Sequence, residues 1–133
     1  MAFPVANAEI SLPGPAGALQ AYAEFPSTHD AATPIAVICH PHPPDGGSMH
    51  NKVVSTIAKA FNDCGYIALR FNFRGVGSSG GSYDQGRGEL ADCRAVIDWV
   101  ITRRSQSALA LAGFSFGAWV ALKAAEFYSP ALM

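Results

Sequence analysis

Long apolar runs are missing from this sequence: none reaches the ~20 residues that a helix needs to cross a bilayer. The first residues, MAFPVANAEI, carry no basic cluster followed by an apolar core, which argues against a secretory leader. Charge is scarce and balanced. Only 14% of residues are charged and the net charge is -1, so nothing in the electrostatics favours nucleic acid or an anionic membrane as partner. Cysteine is scarce too. Cys39, Cys64 and Cys93 are odd in number, lie far apart and form no CxxC or metal spacing, so they read as reduced, buried thiols of a cytoplasmic protein. No repeat, low-complexity tract or linker divides the 133 residues. A single domain over 1–133 is expected, long enough to bury about two thirds of its unfolded surface.

What is present is an alternation of strand-like and helix-like segments. AEISLPGPAGALQAYAEFP reads as a hairpin around a Pro/Gly cluster. PIAVICH (34–40), YIALRFNF (66–73) and ALALAGF (108–114) are apolar strand candidates, the first of them suited to burial on both faces. KVVSTIAKAFNDCG sets Val53, Val54, Ile57 and Phe61 at helical spacing, with Gly65 as the stop. ELADCRAVIDWVITRR repeats apolar residues at Leu90, Cys93, Ile97 and Val100 or Ile101 and ends on two arginines, which suit the helix dipole. SFGAWVALKAAEFY reads as a third helix. This order predicts an α/β fold: a mostly parallel sheet, right-handed crossovers, and helices on both faces. Chemistry in such sheets gathers at the carboxyl ends of the strands, where the loops 40–50, 74–88 and 113–117 converge.

The third of these loops is a GxSxG corner, Gly113-Phe114-Ser115-Phe116-Gly117. A serine on a sharp turn from strand to helix takes a strained backbone and projects its hydroxyl. The residues two before and two after must be small, because strand and helix crowd there. The first helical turn also aims free N–H groups at the same point, ready for a developing oxyanion. Ser115 is therefore the nucleophile candidate, expected at the sheet's carboxyl edge with a left-handed or otherwise strained backbone. A glycine-bounded corner that merely contains a serine is the plainer alternative.

A second oxyanion donor would come from the loop after an earlier strand, and CHPHPPDGGSMHNK occupies that place. The backbone N–H of His42 is the expected donor there, while Gly46 and Gly47 let the loop fold closely. His40 reads as a structural hydrogen bonder. No third ligand stands at a spacing that would make His40 and His42 a metal site. In the glycine loop, Gly75, Gly77 and Gly80 match GxGxxG, a dinucleotide fingerprint. The match lacks a helix opening inside it and an acidic residue about 20 positions on, so no cofactor is expected. Glu89 and Asp92 read most simply as charges at a helix N-terminus.

AVICHPHPPDGGSMHNKVV, ALRFNFRGVGSSGGSYDQGRGELADCRAVIDWV and LAGFSFGAWVAL, in that order, resemble the small bacterial α/β-hydrolases, and within them the carboxylesterase-type subgroup related to dienelactone hydrolase. The resemblance covers nearly the whole chain. It implies a small-molecule ester substrate, Ser115 as nucleophile, and oxyanion donors on the backbone of Phe116 and His42. It also implies that the hairpin supplies the first strands of the sheet.

The superfamily order is Ser, then Asp or Glu, then His. No histidine follows His50, and Glu126 is the only acid after Ser115. SPALM resembles the approach to another strand. The chain is thus expected to match roughly the first two thirds of a hydrolase, with the last strands, acid and base beyond it. Two further expectations follow. The His42 ring is the best substitute base within the chain, and a silent binding or self-assembly module is the rival to an enzyme. The 108–114 strand has no lysine or proline to guard it. With Val53, Ile57 or Phe61 exposed on the neighbouring helix, homo-oligomerisation through that edge is expected.

Overall fold

The computed structural model describes residues 1–128. The expectation for SPALM therefore lies outside the described residues. Strands β1 (Ala8–Gly14) and β2 (Gly17–Glu24) form the hairpin. Then come β3 (Ile35–Cys39), α1 (Lys52–Asp63), β4 (Ile67–Phe71), α2 (Arg87–Arg103), β5 (Leu109–Gly113) and α3 (Phe116–Ala125). The strand order is β1-β2-β4-β3-β5. β4, β3 and β5 run parallel, and the hairpin joins β4 antiparallel. The sheet is accordingly mixed: the parallel part is the one built by crossover helices, and the antiparallel part comes from the tight turn at Pro13–Gly17.

β3 and β4 are buried at every position, as a strand covered on both faces must be. Ile35, Val37 and Cys39 face a core shared with Ile97 and Val100 of α2 and Val120 and Ala124 of α3. Ala36 and Ile38 face α1 together with Ala68 and Ala110. The three alanines let Val54 and Ala58 come close to the sheet. The buried stripe of α1 is narrower than the spacing implies: Val53 is exposed, and Ile57 and Phe61 are half-buried. On α2 it is Val100 that enters the core, while Ile101 stays outside.

Local signals set the helix ends. The Asn51 side chain accepts from the N–H groups of Val53 and Val54 and so caps α1. Gly65, at φ +87°, turns the chain out of that helix. α2 begins at Arg87, well past Gly80, so GxGxxG opens no helix; Gly80 instead packs on the hairpin turn at Gly17. Among the described residues no helix is long and apolar enough to cross a membrane.

Candidate active site

Ser115 stands between β5 and α3, at φ +59° and ψ -122°. This is a conformation that costs a non-glycine residue on the order of 1–3 kcal/mol unless its surroundings impose it. They do so here by volume. A methyl group at Gly113 would strike the backbone of Gly117, and one at Gly117 would strike the backbone of Cys39 and His40. Strand and helix are thus pressed together, and the turn between them has no relaxed alternative. The Ser115 side chain is exposed and caps no helix N–H. Together with Pro41, His42, Asp45, Gly46, Gly47, Asn51 and Phe114 it lines an open cavity of about 240 Å³. The corner and the loop after β3 therefore share one space, as the sequence suggests.

Buried polar groups hold that loop from below. Met49 is buried, with its N–H bonded to Asn72 Oδ1 (2.8 Å) and its carbonyl to Arg70 Nη1 (2.8 Å). Arg70 is in turn paired with Glu24 at 2.8 Å. His40 is fully buried. Its Nε2 accepts from the Phe73 N–H (3.1 Å), which leaves Nδ1 to donate to the Pro41 carbonyl (2.7 Å). Burial pushes its pKa down to about 4, so the ring is a neutral strut between β3 and the segment after β4. Gly47 folds back so tightly that a side chain there would meet the Pro41 carbonyl.

His42 is placed differently. Its Nδ1 lies 2.9 Å from Asp45 Oδ2 and its Nε2 2.9 Å from the Tyr83 hydroxyl. Both ring nitrogens are engaged, and neither is bonded to Ser115. The ring also meets Phe116 edge-on, with centroids 5.4 Å apart. The backbone N–H groups of His42 and Phe116 are bonded to no acceptor among the described residues. No histidine or carboxylate is hydrogen bonded to Ser115 among them either.

Glu89 stands in the first turn of α2, as expected of a charge at a helix N-terminus, and Asp92 lies just beyond that turn. What the sequence did not show is that both are fully buried. Glu89 accepts from the N–H groups of Asp84 (2.9 Å) and Gly86 (2.8 Å). Asp92 accepts from the Arg74 N–H (2.9 Å) and forks onto its guanidinium at 2.8–3.2 Å. Together they pin the glycine loop to α2. The cysteines need one correction: Cys64 is exposed. Cys39 and Cys93 are free and buried, as expected, and lie sulfur to sulfur at 3.6 Å although far apart in sequence. The Cys93 thiol and burial both push the Cys39 thiol pKa up. Sequence reasoning also missed Tyr83 and Asp45. An aromatic residue in a glycine-rich loop and an acid three residues after a histidine were the signals available.

A mixed α/β sheet, helices on both faces and a strained serine at a strand-to-helix corner define the class: this is an α/β serine hydrolase fold. Residues 18–133 match the model of the X-Pro dipeptidyl-peptidase (S15) family, and the chain belongs to that family. It is 47% identical to an α/β serine hydrolase without lid from Xanthomonas campestris, with a TM-score of 0.93 over 99% of this chain and 62% of that one. It is 44% identical to an α/β serine hydrolase homologue from Coxiella burnetii, with a TM-score of 0.91 over 98% of this chain and 63% of that one. An uncharacterized protein of Rickettsia prowazekii is 46% identical over 118 residues, 86% of this chain and 48% of its relative. The chain thus spans about half to two thirds of the length of these relatives.

Proposed function

We propose that this chain carries the nucleophile and the oxyanion-binding elements of a serine hydrolase acting on carboxylic esters of small molecules. The observation that carries the reading is the backbone of Ser115 at φ +59°, imposed by the Gly113–Gly117 contact, with Ser115 lining the cavity of the 41–47 loop. Ser115 Oγ attacks the ester carbonyl carbon, and the carbonyl π electrons move onto oxygen. The backbone N–H groups of His42 and Phe116 receive that oxyanion. Collapse expels the alcohol and leaves an acyl-serine, which water hydrolyses. One oxyanion donor of this kind is worth about 10²–10³ in kcat. The Ser115 proton needs a base. The His42 ring could serve only by leaving Tyr83 or Asp45, so a ring from outside the described residues fits the role better.

The rival reading is a silent binding module that self-associates. Two observations favour it among the described residues: the Ser115 hydroxyl has no hydrogen-bond partner, and β5 pairs only with β3. A fluorophosphonate probe separates the two. Covalent labelling at Ser115, lost in Ser115→Ala, supports the enzyme; no labelling at high probe concentration, even with imidazole added as an external base, supports the module. Parallel assays with a p-nitrophenyl ester and an X-Pro p-nitroanilide then distinguish ester from peptide substrates. Activity that survives His42→Ala removes the His42 ring as base. A monodisperse monomer in light scattering would overturn self-association through β5.

A further inference from the structure

The loop 74–88 contributes one side chain, Tyr83, to the ring cluster beside the corner. Its hydroxyl lies 2.9 Å from His42 Nε2, across 41 residues of sequence. Asp45 can only accept, so in the neutral ring His42 Nδ1 donates to Asp45 and Nε2 accepts from the Tyr83 O–H. Tyr83, His42 and Phe116 close a triangle of rings with centroid separations of 5.3, 5.4 and 6.2 Å. Two of these three residues carry the free backbone N–H groups assigned to the oxyanion.

Tyr83 is itself fixed from behind. The next residues, Asp84 and Gly86, hand their N–H groups to the buried Glu89, and Gln85 between them is held at φ +55°. A mobile glycine-rich segment would not hold a phenol at hydrogen-bond distance. A segment nailed to a buried carboxylate does so, and this accounts for burying Glu89 at the start of α2.

The geometry points to Tyr83 as a positioning residue that acts through the His42 ring. With Asp45 on the other nitrogen, it ties the loop after β3 to the glycine loop through that ring and so holds in place the segment that carries the His42 backbone N–H. Its catalytic consequence rests on the serine-hydrolase reading above; its structural consequence does not.

The test uses Tyr83→Phe, which keeps the ring stack and removes only the hydroxyl. Three quantities are measured on the 133-residue chain: the His42 imidazole nitrogen resonances, hydrogen exchange at the His42 backbone amide, and the rate of fluorophosphonate labelling at Ser115. The expected result is a shifted Nε2 resonance, faster exchange at His42, and labelling slowed by up to about tenfold, the loss of one hydrogen bond. The melting temperature should stay close to that of the parent chain. Asp45→Asn should act on the same ring, so the double variant should lose less than the two single losses combined. An unmoved Nε2 resonance, or unchanged exchange at the His42 amide, overturns the proposal. Labelling that keeps its full rate while both signals move overturns its catalytic part. A parent chain that the probe never labels, even with imidazole added as an external base, refutes the nucleophile reading, while the amide and imidazole signals still decide the positioning.

Discussion

The two sides of the candidate site are held by different physical means. The loops around Met49 and Tyr83 hang on buried polar groups: Arg70, Asn72, His40, Glu89 and Asp92 each satisfy backbone atoms of a loop at 2.7–3.1 Å. Among the described residues, the corner at Ser115 has no such side-chain supports. Its shape follows from excluded volume, with Gly113 and Gly117 against neighbouring backbone. A hydrogen-bonded loop can be loosened one bond at a time, whereas a corner set by contact between backbones has no intermediate state. The difference also matches the demands on each side. Oxyanion donors need a direction, which hydrogen bonds supply. A nucleophile needs a strained, projecting geometry, which only crowding enforces.

The largest expected effect breaks the crowded side. In Gly117→Val, the new side chain meets the backbone of Cys39 and His40, at the carboxyl end of β3, the central parallel strand. Neither can retreat without parting β3 from β5. A loss on the order of 4 kcal/mol or more is expected, with no cooperative unfolding transition in circular dichroism. A variant that melts like the parent chain would mean that the corner is not held by volume.

The next effect falls on the bonded side and is read by pH. The pKa of His40 is about 4 in the folded chain, below its ordinary value of 6.5. Between these values the unfolded chain binds the proton that the folded one excludes. The stability is therefore fully present above pH 6.5 and is lost as pH falls towards 4, by about 3 kcal/mol in all. Urea unfolding of the parent chain from pH 7.5 to 4 should show this slope, and His40→Leu should flatten it at the cost of a lower starting stability. A slope unchanged in His40→Leu would assign it to another group.

The smallest effect sharpens the comparison from the side of the strain. Glycine takes φ +59° without penalty, so Ser115→Gly should raise stability by about 1 kcal/mol while abolishing labelling by the fluorophosphonate probe. Ser115→Ala, which keeps the Cβ and hence the strain, should abolish labelling without that gain. Equal melting temperatures for the two variants would remove strain from the account of the corner.

The element order, the hairpin, the two-sided burial of β3 and the Ser115 corner were all legible in the sequence. Each rests on residues adjacent along the chain: alternation, helical spacing, a cap, two glycines flanking a serine. That His40 would be a structural hydrogen bonder was legible for the same reason, but its partner at Phe73, 33 residues on, was not.

Other features depend on which strands become neighbours, and no local pattern encodes that. β3 lies between β4 and β5, so the loops after all three meet at one edge of the sheet. Only that arrangement brings Tyr83 to His42, Asn72 and Arg70 to Met49, and Cys93 to Cys39. Glu89 and Asp92 show the principle most sharply. Acids in the first turns of a helix suit its dipole and would be stable in water. What buries them is the glycine loop folding back over α2, where unbonded N–H groups would otherwise be left without water. The sequence alone therefore determined a strained serine between a strand and a helix. The tertiary structure decided what surrounds it, because burial and pairing across loops are set by packing rather than by the local chain.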